Sequence, residues 1–354
     1  VTASFDFYDK PGYLRELIRS AQYSGPGDRL TVMAIAFDAS VSEINDLGDA
    51  LAGAATRGAE VRLIVDAYTF IFDHNDRLGP AFTKGAIDPA NLRGVFLTTY
   101  NKLEQLKAAG GSYYIINQPP KAFRFPYAGR SHIKLAIIND RFFIGGCNLD
   151  DASYLDVMVS WENAPTANIL NGLVDTILDD GIVRDALRGE DQTFMLGLEE
   201  DMKILVDCGV RHQSIILHNA HKLIDEAKER IIITCQYFPG GETGRRLLAA
   251  HKRGVEVKIY YSHPTVHGKL AFIHHLHGHI EKRRLPESFF ENRLSRDVPK
   301  LHAKILITES AAMMGSHNYV GEGVNFGTAE IALLNRQPEF VKQLRSFTEE
   351  LILQ

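Results

Sequence analysis

The sequence predicts an α/β protein built as two tandem, pseudo-symmetric domains, each with a mostly parallel sheet flanked by helices. Three observations lead there. The chain has 354 residues, 45% hydrophobic and 23% charged, which suits a globular protein long enough for two cores. Short Val/Ile/Leu-rich runs alternate with helical periodicity and glycine turns, the pattern of buried strands in α/β units. The two halves of the chain also repeat one another.

The elements follow in order. "YLRELIRSAQYSGPGDRLTVMAIAF" near the start answers to "KLIDEAKERIIITCQYF" at 222 to 238, a helical pattern and then an apolar strand. Next come "LAGAATRGAEVRLIVDAY", 51 to 68, and "LLAAHKRGVEVKIYYSH", 247 to 263, each a helix, a glycine turn and a strand. Arg57-Gly58 and Arg253-Gly254 fit helix C-termini, with glycine relaxing the backbone and the cation near the negative end of the dipole. The third block is gapless: "HIKLAIINDRFFIGGCN" from His132 aligns on "HAKILITESAAMMGSHN" from His302. A polar stretch around 185 to 205 separates the copies, giving an N-terminal domain over 1–195 and a C-terminal domain over 196–354.

The third block carries the chemistry. Residues two apart on a strand face the same way, so His132 and Lys134 project together, as do His302 and Lys304. After a turn, the runs ending in Gly145-Gly146 and Gly315-Ser316 read as adjacent strands that deliver Asn148 and Asn318. Two halves packed about a pseudo-twofold axis would bring two histidines, two lysines and two asparagines to one cleft, a set suited to a phosphodiester. Lysine and amide donors hold the non-bridging oxygens, whose charge grows in the transition state. One imidazole attacks phosphorus while the other protonates the leaving oxygen, and neither step calls for a metal or other cofactor.

The paired pattern H-x-K-x4-D/E followed by G-G/S-x-N resembles the phospholipase D superfamily, and the likeness covers nearly the whole chain. The resemblance implies a covalent phosphohistidine, with His132 as nucleophile and His302 as general acid and then base; the residues themselves leave these two roles exchangeable. It also implies a carboxylate on a later strand that orients each histidine, offered here by Asp156 in "SYLDVMVSW" and Glu330 in "FGTAEIALL". The acid position of the motif is Glu309 in the second copy but Asn139 in the first, a departure that questions whether the first half-site is intact.

Other features carry less. "HGKLAFIHH" from His267 has the H-x-K spacing without the rest of the pattern and reads as a chance match. The histidines between His263 and His279 are interrupted by Pro264 and Gly268, and no cysteine or acid completes a metal set. "KAFRFPYAGR", 121 to 130, and "EKRRLPESFFENRLSR", 281 to 296, mix cations with aromatics ahead of each motif and suit an anionic head group, a lipid surface or stacked bases as well as an ordinary loop.

The formal net charge of −5 gives no global field for polyanions, which makes nucleic acid the lesser partner. Cys147, Cys208 and Cys235 fit no disulfide framework, so a reduced, cytoplasmic setting is expected, with peripheral association at the inner face of the membrane. No apolar run approaches the roughly 18 to 20 residues of a membrane span, and the first residues show no signal peptide. The expected function is a phosphodiesterase or phosphatidyltransferase that acts on phospholipids with water or an alcohol as acceptor, close in pattern to cardiolipin synthases. A metal-independent nuclease and a non-catalytic lipid- or nucleic-acid-binding module are the alternatives.

Overall fold

A computed structural model describes residues 4–71, 78–79, 87–117, 129–179, 193–199, 201–209, 212–262, 290–293 and 301–353. The chain forms two compact units. One comprises Val1–Ile144, Asn148–Ala152 and Met158–Glu190; the other comprises Gly145–Cys147, Ser153–Val157 and Asp191–Gln354. The short stretches on either side of Asn148–Ala152 therefore group with the second unit, and Asp156 goes with them.

The first unit runs β1 (Asp6–Asp9), α1 (Lys10–Tyr23), β2 (Arg29–Ala34), α2 (Ser42–Thr56), β3 (Glu60–Asp66), α3 (Gly94–Ala108), β4 (Ser112–Ile116), β5 (Leu135–Ile138), β6 (Arg141–Gly145), β7 (Val157–Glu162) and α4 (Ala164–Asp179). Among the described residues its sheet has seven strands in the order β1-β7-β6-β5-β2-β3-β4. Asp9 caps α1 by accepting the Gly12 N–H at 2.7 Å. The turn between α2 and β3 needs a left-handed residue, and Gly58 supplies it at φ 97°.

The second unit runs β8 (Thr193–Glu199), β9 (Met202–Cys208), α5 (Ile215–Glu226), β10 (Arg230–Cys235), α6 (Gly241–Lys252), β11 (Glu256–Ser262), β12 (Phe290–Arg293), β13 (Lys304–Thr308), β14 (Ala312–Gly315), α7 (Gly321–Phe326), β15 (Ala329–Asn335) and α8 (Pro338–Leu353). Its strands are ordered β12-β11-β10-β13-β14-β15-β9-β8. The repeat read in the sequence is a repeat of topology, since β6-β5-β2-β3 corresponds strand for strand to β14-β13-β10-β11.

The α/β class is as expected, but strand direction divides each sheet. β2, β3 and β4 run parallel, as do β10, β11 and β12, whereas β5 and β13 pair antiparallel with β2 and β10. The reason is the motif itself. β5 and β6 are joined by the turn Asn139-Asp140, and so short a connection permits only an antiparallel hairpin. All residues of β13, β14 and β15 are buried, the mark of strands covered on both faces.

Candidate active site

Each motif stands at the entry to a buried hairpin. The strands begin at Leu135 and Lys304, so both histidines lie just before the ladder rather than within it as the alternation suggested. A shared contact explains this. Lys134 Nζ donates to the His132 carbonyl at 2.9 Å, and Lys304 Nζ donates to the His302 carbonyl, which takes those carbonyls out of strand pairing. Both ammonium groups are almost fully buried, at 1% exposure.

In the second unit several contacts hold His302. The His302 and Ala303 N–H groups donate to the Leu155 carbonyl at 2.7 and 3.0 Å, which fixes the backbone. Thr234 Oγ1 donates to the Ala303 carbonyl at 2.9 Å and accepts the Ile305 N–H at 3.1 Å. The imidazole Nδ1 lies 2.5 Å from Asp156 Oδ2, and Tyr154 presents its ring edgewise at 5.5 Å between centroids.

Lys304 Nζ also approaches Nδ1, at 2.7 Å. A carboxylate only accepts and an ammonium only donates, so Nδ1 serves one of them at a time. Burial pushes the Asp156 carboxyl up, but the charges of Lys304 and His302, with hydrogen bonds from His302 and the Val157 N–H, outweigh it and bring it down to about 2. An ionised Asp156 assigns the proton to Nδ1 and leaves Nε2 the unprotonated nitrogen of a neutral ring. Burial lowers Lys304 to about 8, against the opposing pull of Asp156 and Glu330.

Glycine and serine after the second hairpin strand make room for the carboxylates. A Cβ on Gly146 would stand 2.2 Å from Asp156 Oδ1, so no side chain fits there while Asp156 keeps its place. At Gly315 a Cβ would meet the Ile331 carbonyl at 2.2 Å, so β14 lies against β15 only without one. Gly145 ends β6. Ser316 takes the position of Gly146: its Oγ donates to Glu330, which is 4% exposed inside β15, and accepts the Ile331 N–H at 3.0 Å.

The two asparagines sit at aligned positions after the second hairpin strand. Leu149, next to Asn148, exchanges backbone hydrogen bonds with Ala36 and Asp38 at 3.2 and 2.8 Å. Tyr319, next to Asn318, has φ 55° and donates its N–H to His317 Nδ1 at 2.9 Å. Among the described residues Asn148 Oδ1 and Asn318 Oδ1 are both buried without a hydrogen-bond partner.

The acid position proves to be structural. Glu309 accepts the Lys228, Glu229 and Arg230 N–H groups at 2.9, 3.3 and 3.3 Å, pinning the entry of β10; burial pushes its carboxyl up, and these amides more than compensate and hold it low. Asn139 does the same for β2, accepting the Arg29 N–H at 2.9 Å and donating to Asp28 Oδ1 at 2.9 Å. It does so from φ 54°, a left-handed conformation that asparagine tolerates better than most residues. The departure at Asn139 therefore alters a turn anchor and leaves His132 and Lys134 in their places.

The description "Cardiolipin synthase, PLD-like domain" matches the chain twice, over 14–172 and 221–352. The chain belongs to this family. No curated protein sequence matches it. In fold, this PLD-like chain is similar to phosphatidylserine synthase from Haemophilus influenzae Rd KW20, with a TM-score of 0.69 at 14% identity over 98% of this chain and 85% of that one. It is also similar to polyphosphate kinase from Porphyromonas gingivalis, with a TM-score of 0.57 at 12% identity over 99% of this chain and half of the kinase.

Several residues of the PLD-like chain escaped the sequence reading. Asp66, buried at the end of β3, gathers Arg130, Asn117 and Ser131 just ahead of His132. Lys10, also buried, pairs with Asp150 in the Asn148 turn. An acid closing an apolar strand was the available signal for Asp66. The histidine-rich segment at 263–279 and the H-x-K at His267 lie outside the described residues, as do most of 121–130 and of 281–296. Among the described residues no group of three histidines, cysteines or acids stands together as a metal site, and no helix is long and apolar enough to cross a membrane.

Proposed function

We propose that the chain is a phosphodiesterase or phosphatidyltransferase that acts on phospholipids through a phosphohistidine on His132. The observation that carries this reading is the doubled motif, with a buried Asp156 holding the imidazole of one copy in a defined tautomer. His132 attacks phosphorus and the head-group oxygen leaves with a proton from His302; water or an alcohol then gives its proton to His302 and displaces the histidine. Lys134 and Lys304, with the amides of Asn148 and Asn318, hold the non-bridging oxygens. Glu330 is the matching carboxylate for the first histidine's half of the reaction, and the protein works from the membrane surface at the cytoplasmic face.

The test is incubation with mixed phospholipids and, separately, with single-stranded DNA, followed by mass spectrometry of the products. Exchanged phosphatidyl groups or released head groups support the proposal. Shortened oligonucleotides with unchanged lipids would make the protein a nuclease, and tight lipid binding without products would make it a binding module.

A further inference from the structure

We infer that the buried Asp66–Arg130 ion pair is a positioning device for His132, an inference that rests on the phosphohistidine reading above. Asp66 is fully buried and Arg130 is 6% exposed. The Asp66 carboxylate accepts four hydrogen bonds: Oδ1 from the Tyr68 N–H at 2.8 Å and from Arg130 at 2.7 Å, Oδ2 from Asn117 Nδ2 at 2.7 Å and from the Ser131 N–H at 2.8 Å. The same Arg130 nitrogen donates to the Asn117 carbonyl at 3.0 Å. One carboxylate thus ties the end of β3, the residue after β4 and the two residues ahead of His132 into a single knot. Downstream, the His132 carbonyl is held by Lys134. The backbone of His132 is gripped from both sides.

Stability alone gives a poor account of this knot. A buried ion pair pays for desolvation, and apolar residues of similar volume often serve stability as well or better. Among the described residues Arg130 Nε, Ser131 Oγ and Asn117 Oδ1 are in addition buried without partners, so the cluster is not a fully satisfied core network there. What it does supply is backbone placement one residue from the proposed nucleophile, where small displacements matter most to an in-line attack.

The second copy supports the point by contrast. The aligned strands place Ser262 at the position of Asp66, and Lys300-Leu301 at the positions of Arg130-Ser131. The backbone of His302 is instead held by the Leu155 carbonyl and its ring by Asp156. Among the described residues such a knot is found in the first copy, the one assigned the covalent bond.

The experiment measures single-turnover formation of phosphohistidine on His132 with phosphatidylglycerol vesicles, together with KM, kcat and melting temperature. It compares the intact protein with Arg130→Gln, Arg130→Lys and the double variant Asp66→Asn/Arg130→Gln. Arg130→Gln is expected to slow labelling by about 10²-fold with KM little changed. Arg130→Lys, which keeps the charge beside Asp66 but loses the planar fork, should recover part of the rate. The double variant, with no unpaired charge left behind, should melt close to the intact protein yet remain slow. Recovery of the full labelling rate in the double variant, or rates that follow only the folded fraction, would overturn the inference while leaving the reaction standing. An intact protein that turns over phospholipid without label on His132 would overturn both.

Discussion

Asp156 Oδ2 lies 2.5 Å from His302 Nδ1, although 146 residues separate them in the chain. The pair sets which ring nitrogen carries the proton of a neutral imidazole. Asp156→Asn keeps the shape and removes the charge that steadies a protonated ring, so turnover of phospholipid should fall by about 10²- to 10⁴-fold, the usual worth of acid–base catalysis. The acid limb of stability should change as well. The folded-state pKa of about 2 lies below the unfolded value of about 3.9, so Asp156 contributes stability present above pH 4 that is lost as pH falls through 2. Acid titration followed by circular dichroism should show that part of the transition missing in Asp156→Asn.

Lys304 sets the alkaline side. Burial lowers it to about 8, so it sheds its proton well below the pH at which an exposed lysine does. The kcat/KM profile should therefore decline as pH rises past 8. Lys304→Arg stays charged throughout and should lose that limb while lowering the plateau, because the buried site is shaped for an ammonium. A limb that stays in place in Lys304→Arg would assign it to another group.

Gly146→Ala tests the space beside Asp156. A Cβ at 2.2 Å from Oδ1 forces the carboxylate away from its place, so kcat should fall toward the level of Asp156→Asn with KM little affected. Activity equal to that of the intact protein would show that the carboxylate can move without consequence.

Asn139→Asp brings the first motif to the acid of the second, and it should not help. The asparagine amide donates to Asp28 Oδ1 at 2.9 Å, and an aspartate there would set two carboxylates against each other. The expected result is unchanged kcat and a loss of about 0.5–1 kcal/mol on denaturant unfolding at low salt, shrinking as salt screens the pair.

The hairpins, their glycine endings and the paired histidines were legible in the sequence because they recur at fixed offsets in two copies. Partners were not. The resemblance pointed to Asp156 as a carboxylate in an apolar run but could not say which imidazole it meets, since a contact across 146 residues leaves no local trace. Asn139 looked like a defect because spacing reports residue type and not hydrogen bonds; its amide makes the same tie to the neighbouring strand that the Glu309 carboxylate makes. The mixed strand directions followed from the two-residue turn after Ile138, a local cue outweighed by the βα pattern that surrounds it. Asp66 passed unnoticed because Arg130 stands 64 residues away.

The compact unit that holds His302 also holds Ser153–Val157, a stretch coded in the other half of the gene. A fragment expressed from residue 196 onward would contain every letter of the second motif and still lack the carboxylate its histidine answers to. Whatever doubling produced the two copies, truncation, gene splitting or domain grafting at the apparent boundary would part His302 from the carboxylate that holds its ring.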